Sequence, residues 1–310
     1  MTIGIAASGP HAAKAIIAAL AAVEAIGTGA IGGFVSLAAI SGGVLHRAQT
    51  QTGGGRALFE GPTPPHFLEA NLAVLMSSGP NRPAPLAQFT PGDAQVGLVT
   101  GHRFPNAPSE TGAPLNQEVL ALMRSGLAPE AAISDSLGRN GMADAGLIAL
   151  SVGGEIYAAN SPLLDSFEDR GSAILRGPSG ATVAVLHNAI LPYRGLALIA
   201  AEIALNIIDG TKQAQDFIRI DAGLRIIPAL DNAVDIDAKG NAIAICVADP
   251  HHVAGRRSFG LGYHAIIRRG GRLCGRLAYE PYLVAVDGRL VSIDGADTAT
   301  VPAVLESPSF

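Results

Sequence analysis

Glycine-turned β-hairpins recur along the chain and constrain its fold more than any other feature. Residues 34–51, FVSLAAISGGVLHRAQTQ, hold an apolar run, a Ser-Gly-Gly turn and a second run that alternates between apolar and polar residues. This pattern predicts two strands joined by a tight turn, because glycine readily adopts the positive φ that tight turns need. The pattern returns at 147–161, 234–249 and 282–294. A sheet-rich protein is therefore expected.

Alanine-rich segments between the hairpins have the marks of helices. Residues 9–27 and 191–210 each follow a short strand, begin near a proline and end at a glycine, which are typical helix boundaries. Apolar residues spaced by three and four positions predict further helices at 63–79, 114–126 and 128–140. Hairpins with segregated helices indicate an α+β protein with helices outside and sheets inside.

The chain shows no change of composition that would mark a linker. Its 310 residues exceed the usual size of a single core, but the two strand-turn-helix units, TIGIAAS with its helix and ATVAVLHNAI with its helix, resemble each other. We therefore expect one domain over residues 1–310, with the alternative of two pseudo-repeat halves that meet near residues 160–180.

Charge and hydropathy exclude several classes of partner. The formal net charge is -5, and no basic run is longer than a pair of arginines, so nucleic acid is not expected to bind. The apolar stretch 16–25 is too short to cross a bilayer and lacks a basic region before it. A cytoplasmic protein with a small-molecule ligand and no membrane partner is expected. Cys246 and Cys274, in apolar surroundings, are interpreted as small core residues.

Common cofactor and metal motifs are missing from the sequence. It contains no Gly-x-Gly-x-x-Gly that follows a strand and opens a helix, and no Walker loop, His-Glu-x-x-His or Cys-x-x-Cys, so neither a cofactor nor a metal is expected. Gly53-Gly54-Gly55 could hold an anion through backbone N–H groups or be a plain turn. The segment DPHH, residues 249–252, is disfavoured as a metal site because adjacent histidines on an extended segment point to opposite faces.

The densest polar cluster is GLVTGHRFPN, residues 97–106, where an apolar strand ends in a loop. In our hypothesis His102 transfers a proton and Arg103 holds an anionic group. Thr100 and Asn106 donate hydrogen bonds to a developing oxyanion. The alternative is a polar loop whose side chains bond to backbone carbonyls.

Candidate substrate-binding residues lie at the ends of the paired strands. Ser8 and His11 stand at the turn into the first alanine-rich helix, and His187 and Asn188 stand at the matching place before the second. We expect the four side chains to line one mouth if the two strand-helix units lie side by side. Arg82, in the proline-braced turn SSGPNRPAP, is a further candidate. Helix capping by Ser8 and a buried structural His187 are the alternatives.

The hairpin DAGLIALSVGGEIYAANS, residues 144–161, resembles an element of the N-terminal-nucleophile (Ntn) hydrolases, both of the aspartylglucosaminidase type and of the uncharacterised bacterial DUF1028-like proteins. The segments IGIAASGPHA, GAIGGFVSLAA and RAQTQTGGG are similar to the start of a DUF1028-like chain. The resemblance implies a four-layer αββα-like sandwich. It also implies a terminal Thr, Ser or Cys whose own α-amine acts as the base.

Thr2, exposed by removal of Met1, is the terminal candidate that the resemblance allows. Asp144 stands where the aspartylglucosaminidase-like hairpin would carry its nucleophilic threonine, so we interpret Thr2 as a structural residue. The sequence as a whole predicts a hydrolase of a small amide- or carboxylate-bearing molecule. The alternative is a non-catalytic ligand-binding or assembly protein on the same scaffold, and homo-oligomerisation through the alanine-rich helices is left open.

Overall fold

A computed structural model of the protein describes residues 1–210, 216–263 and 265–305. The chain separates into two compact units, Met1–Asp209 and Gly210–Phe310. This division differs from the single domain expected from the sequence, and residues 160–180 lie inside the first unit rather than at a boundary. The predicted α+β class is confirmed, with more strand than helix.

Strands of the described part of the first unit form two antiparallel sheets. Their bounds are β1 (Thr2–Ser8), β2 (Val35–Ser41), β3 (Val44–Thr50), β4 (Leu72–Ser78), β5 (Gly92–Asp93), β6 (Gly97–Arg103), β7 (Ala145–Ser151), β8 (Ile156–Asn160), β9 (Arg170–Arg176) and β10 (Thr182–Asn188). One sheet has the order β3-β2-β4-β1-β10-β9, and the other has the order β5-β6-β7-β8.

Helices cover the outer face of each sheet. Their bounds are α1 (Ala12–Ile26), α2 (Pro65–Leu68), α3 (Leu115–Arg124), α4 (Pro129–Arg139), α5 (Pro162–Asp165) and α6 (Tyr193–Gly210), with short 3₁₀ turns at Gly54–Ala57 and Leu86–Phe89. Side chains of α1 and α6 share a core with the larger sheet, and those of α3 and α4 share one with the smaller sheet. A third apolar cluster lies between the sheets. Apolar clusters thus lie on the helix-covered face of each sheet and between the two sheets.

The two sheets approach most closely where β1 passes β6. A Cβ atom added at Gly4 would lie 2.4 Å from the carbonyl oxygen of Gly101, a distance that only a residue without a side chain permits. Nearby, Thr100 Oγ1 donates a hydrogen bond of 3.0 Å to the carbonyl oxygen of Leu75 in β4. Glycine at position 4 thus lets the start of β1 and the end of β6 lie close together.

Four of the five predicted helices are confirmed as α1, α3, α4 and α6, but the helix expected over 63–79 is wrong. Only Pro65–Leu68 is helical there, and Leu72–Ser78 forms β4 between β1 and β2. Strand β4 is buried on both faces from Ala73 onward. A continuous apolar run of this kind fits a fully buried strand as well as a helix. The four predicted hairpins are present, with turns at or beside the glycines.

The two similar strand-helix units are neighbours in one sheet, and they run in opposite directions. In the antiparallel register of β1 and β10, Thr2 lies opposite Asn188 and Ser8 lies opposite Thr182. Helix α1 follows the Ser8 end of β1, whereas α6 follows the Asn188 end of β10. At a rise of about 3.4 Å per residue, the two helix starts are separated along the strands by about 20 Å.

The second unit is built from strands in its described residues. Their bounds are β11 (Asp216–Asp221), β12 (Arg225–Pro228), β13 (Ala233–Ile236), β14 (Ala242–Val247), β15 (Arg256–Gly260), β16 (Ile266–Arg269), β17 (Arg272–Leu277), β18 (Tyr282–Val286), β19 (Arg289–Ile293) and β20 (Thr298–Leu305). Within residues 216–263 and 265–305, they form a ten-stranded sheet of order β11-β20-β17-β16-β13-β14-β12-β19-β18-β15.

The second unit has its own apolar core, as expected for a separate compact body. Cys246 is buried and Cys274 packs against this core, in line with their interpretation as core residues. The guanidinium of Arg268 bonds to both Asp235 and the Cys246 sulfur. Of the helices in the described residues of the whole chain, none is long and apolar enough to span a bilayer.

The close approach of β1 and β6 leads to a stability prediction. Gly4→Ala should destabilise the first unit by about 1–3 kcal/mol, because the added methyl group would overlap a backbone carbonyl and force the sheets apart. Gly138→Ala, on the exposed side of α4 with no atom within 4 Å of the added Cβ, should instead stabilise by about 0.5–1 kcal/mol. Urea unfolding of the two variants provides the measurement. Equal stability of Gly4→Ala and the parent protein would contradict the packing.

Candidate functional site

Polar groups from both sheets converge on Thr2, the first residue of β1. Thr2 is 2% exposed. Its hydroxyl donates to Asn188 Oδ1 at 2.7 Å, and its backbone N–H donates to the same oxygen at 3.2 Å. The backbone N–H of Arg103 in turn donates to Thr2 Oγ1 at 2.5 Å. The hydroxyl and the nitrogen of Thr2 are thus held on one side of the residue, facing a common acceptor.

Arg103 is held in place by its own conformation and by an ion pair. Its φ of 63° is left-handed, which is unusual for a residue other than glycine, and its N–H bonds to Thr2 Oγ1. Its guanidinium binds Asp144 through two contacts, one of them Nε to Oδ1 at 2.7 Å. The predicted task of Arg103, holding an anionic group, is therefore performed on an anion of the protein itself. Asp144 is an ion-pair partner in this structure.

His102 and Thr100 lie between the sheets and are both fully buried. The ring of His102 bonds through Nε2 to Asn160 Oδ1 at 2.8 Å. Burial lowers the pKa of His102 to about 4, so the ring is neutral near pH 7. Thr100 is bonded to a backbone carbonyl. Neither side chain is placed to meet a substrate directly, which differs from the roles expected from the sequence.

Asn106 lies in the turn after β6 and points away from Thr2 toward another loop. Its Nδ2 donates to Gln88 Oε1 at 2.8 Å. Gln88 in turn donates to the carbonyl of Pro83. The amide of Asn106 therefore links two loops, and it does not join the groups around Thr2 as predicted.

Arg82 does belong to the Thr2 cluster. Ser78 lies opposite Thr2 in the register of β4 and β1, and Arg82 Nε donates to Ser78 Oγ at 2.9 Å. Among the described residues, no carboxylate forms an ion pair with Arg82, whereas Arg103 is paired with Asp144. Arg82 is thus a half-buried cation with charge to offer an anionic ligand.

A cavity of about 390 Å³ lies at this end of the first unit, lined by Arg103, Phe167, Glu168 and Asp169. The α-amine of Met1 is close to the same groups. Its pKa is lowered from the usual value by burial and by the positive charges of Arg103 and Arg82, against the opposite effect of Asp169 and Asp144. An amine at this position therefore loses its proton more readily than an exposed one.

Ser8 and His11 are at the other end of β1 and do not share this site. Ser8 lines a separate cavity of about 460 Å³ with Gly154 and other residues. The ring of His11 bonds to the carbonyl oxygen of Leu68 at 2.7 Å. The expectation of one common mouth fails because antiparallel pairing places the two strand ends about 20 Å apart.

His187 directly precedes Asn188 in β10, so its side chain lies on the face of the sheet opposite to the Thr2 cluster. It pairs with Ile3 in the register, and Ile3 belongs to the core beneath the helices. Gly171 on β9 leaves room for the ring, since a Cβ there would lie 2.3 Å from His187 Nε2. Of the five predicted substrate-binding residues, Asn188 and Arg82 reach the cluster.

The glycine run 53–55 does hold an anion, and that anion is part of the protein. Both carboxylate oxygens of Glu24 accept from the N–H of Gly55, at 3.0 and 3.1 Å. A Cβ at Gly54 would lie 2.3 Å from Glu24 Oε1. Of the two alternatives left open by the sequence, an anion cradle and a plain turn, the structure has a cradle that is filled by a side chain of α1.

The segment DPHH forms a 3₁₀ turn in the second unit. Asp249 accepts from the backbone N–H of His251 at 2.9 Å, and the ring of His252 stacks on Phe259 with centroids 3.9 Å apart. In the part of the chain that the structure describes, no three metal-ligating side chains come together.

Two family matches cover most of the chain. Residues 2–217 match a family described as Domain of unknown function (DUF6963), and residues 223–298 match one described as Domain of unknown function (DUF7259). A search of curated proteins finds no match. The first match spans the Thr2 cluster, and the second lies within the other unit.

The filled glycine cradle leads to a prediction on pH dependence. Burial raises the pKa of Glu24 despite its bonds to Gly55, so the folded protein binds a proton more tightly than the unfolded chain and loses stability as pH rises through that pKa. Glu24→Gln removes this titration. Urea unfolding at pH 4 and pH 7 should show the variant gaining relative to the parent protein at the higher pH. A difference that is independent of pH, or that falls, would contradict the burial of this carboxylate.

Proposed function

The chain belongs to the DUF6963 family, and we propose that its first unit is an amide hydrolase in which Thr2 is the N-terminal nucleophile. Cleavage of the peptide bond before Thr2 would free the α-amine of that residue. The observation that carries the proposal is the shared hydrogen bonding of Thr2 N and Oγ1 to Asn188 Oδ1. This replaces the structural role that the sequence suggested for Thr2.

A nucleophilic hydroxyl needs a base close to it, and the geometry of Thr2 supports its own amine in that role. Both atoms bond to one oxygen, so they lie on the same side of the residue. Met1 is one residue away from Thr2, and the pKa of its amine is lowered by burial and by the charges of Arg103 and Arg82. We expect them to act on a freed Thr2 amine as well, and so to favour the neutral form that a general base requires.

The reaction follows from these positions. The amine takes the proton of Oγ1, and Oγ1 forms a bond to the carbonyl carbon of the substrate. The N–H of Arg103, already within 2.5 Å of Oγ1, is close to the oxyanion that develops on that carbon. The carbon–nitrogen bond breaks as the proton passes to the leaving amine. Water then attacks the ester carbon and gives a proton to the α-amine. The amine passes that proton to Oγ1 as the bond between Oγ1 and the carbon breaks, which releases the acid and restores Thr2.

The substrate we propose is a small amide that also carries a carboxylate. Arg82 supports this choice, since it bonds to Ser78 beside Thr2 and has no carboxylate partner within the described residues. The Ntn resemblance supports the chemistry. The apolar clusters on the helix-covered faces of the two sheets and between the sheets support the layered sandwich that this resemblance implies.

One observation favours the second candidate, a ligand-binding protein without catalysis. With Met1 in place, Thr2 has no free amine, and the Met1 sulfur accepts a hydrogen bond from the N–H of Ala30. A chain that kept Met1 would present Arg82 and the cavity to a ligand without a nucleophile.

Processing and turnover test the proposal together. Purified protein should begin at Thr2 by intact mass and N-terminal sequencing. It should hydrolyse members of a panel of carboxylate-bearing amides followed by mass spectrometry. Thr2→Ala should lower turnover by at least about 10³-fold, and Thr2→Ser should retain part of it. Active protein that retains Met1, or a Thr2→Ala variant with full turnover, would overturn the proposal.

The amine can be tested separately through its charge environment. Arg82 disfavours the ammonium form, so Arg82→Met should raise the pKa of the Thr2 amine and shift the acidic limb of kcat/KM to higher pH. Arg82→Lys keeps the positive charge and should leave the limb close to its original position. The profile is measured with an amide that lacks a carboxylate, so that substrate binding does not enter. An unshifted limb in Arg82→Met would exclude the amine as the base.

A further inference from the structure

Two polar side chains between the sheets each have a buried nitrogen without a hydrogen-bond partner in the described structure. They are Nδ1 of His102 and Nδ2 of Asn188. Buried polar groups are costly unless they are paired. Asn188 is close enough to His102 to influence the pKa of the ring, although these two nitrogens do not bond to each other in the described structure. The two atoms therefore form a natural pair if one is a donor and the other an acceptor.

The hydrogen bonds around the two side chains determine which nitrogen is the donor and which is the acceptor. Asn160 Nδ2 donates to Asp165 Oδ1 at 3.3 Å, so its Oδ1 faces His102 and must accept from His102 Nε2. A neutral ring with its proton on Nε2 leaves Nδ1 as an acceptor. On the other side, Thr2 donates twice to Asn188 Oδ1, which leaves Nδ2 of Asn188 as the donor. The unpartnered atoms are thus complementary.

We propose that His102 is a positioning residue: its neutral Nε2–H form accepts from Asn188 Nδ2 and so keeps Asn188 Oδ1 turned toward Thr2. The bonds then run in one direction, from Thr2 through Asn188, His102 and Asn160 to the carboxylate of Asp165. Hydrogen bonds aligned in this way reinforce one another in a low-dielectric interior. The consequence for turnover rests on the proposed function of Thr2, but the orientation itself does not.

A protonated His102 would break the alignment. It would place an N–H of the ring against the N–H₂ of Asn188, and the amide would turn and present its donor to Thr2. The charged or titratable groups near the ring are His187 and Arg103, both of which oppose its protonation, as burial does more strongly. His102 therefore positions Asn188 without changing its own charge. This role differs from the proton transfer that the sequence analysis expects of His102.

Glutamine provides the matched variant for the test. In His102→Gln, one side-chain N–H can donate to Asn160 and the oxygen can accept from Asn188, in the same order as the ring. His102→Leu has neither group. We expect His102→Gln to keep most of the kcat of the parent protein and His102→Leu to lower kcat by about tenfold with little change in KM. Equal losses in the two variants would show a merely structural role and overturn the proposal.

Nuclear magnetic resonance tests the orientation without any activity. Long-range ¹H–¹⁵N spectra of the full chain, with His102 assigned by comparison with His102→Gln, should show the Nε2–H form at pH 7. In Asn188→Asp a carboxylate faces Nδ1, so the ring should gain a proton there, while the spectrum of His11 stays unchanged.

An Nδ1–H ring in the parent protein, or His102 signals unaltered by Asn188→Asp, would overturn the proposal even if Thr2 proves catalytic. The expected spectra together with a fully active Thr2→Ala variant would instead keep the orientation and reject the proposed function. The spectrum of the parent protein decides the matter on its own if the His102→Leu variant does not fold.

Discussion

Contact between β1 and β6 without any side chain between them is the constraint on which the candidate site depends. The lack of a side chain at Gly4 lets its backbone approach the carbonyl of Gly101, and this proximity brings the N–H of Arg103 within hydrogen-bond distance of Thr2 Oγ1. Interiors are close-packed, so even one methyl group at this point would have to be accommodated by moving a sheet. The close approach of β1 and β6 therefore determines both the distance between the sheets and the arrangement of groups around Thr2.

The same closeness explains why so many polar groups are buried around Thr2. Two strand ends that face each other across the layer leave little room for water, so the side chains must satisfy one another. Asn188 bonds to Thr2, and Asn160 bonds to His102; the proposed bond between Asn188 and His102 would join these two pairs across the sheets. Such networks are costly when incomplete and rigid when complete. A rigid arrangement is what a nucleophile with a fixed proton acceptor needs.

Local sequence patterns predicted most helices and hairpins. The features that they could not predict depend on which strands pair with each other in the sheets. The glycine turns and the alanine-rich helices follow from backbone preferences within a few residues. Strand β4 was mistaken for a helix, because an apolar run buried on both faces has no period that separates the two. The relative direction of β1 and β10 was also beyond local patterns, and it alone places Asn188 at the site and Ser8 away from it.

Only some residues of the candidate site can be predicted from the sequence, because their partners lie far away in the chain. The sequence marks His102, Arg103 and Asn188 as polar residues at strand ends, and it marks Arg82 as part of a proline-braced turn. The tasks of all four depend on partners distant in the chain. Asn160 and Asp165 were missed because nothing in their own neighbourhood distinguishes them. Thr2 was judged structural, although its place opposite both Ser78 and Asn188 is what makes it a candidate nucleophile.

The carboxylate of Glu24 in the glycine cradle affects whether the loop can bind a free anion. Because it is tethered by its own helix, it acts at a high effective concentration. A free phosphate or sulfate would have to displace a competitor that never diffuses away. The anion site of this glycine-rich loop is thus already occupied, and the N–H of Gly55 fastens α1 to the loop that follows β3.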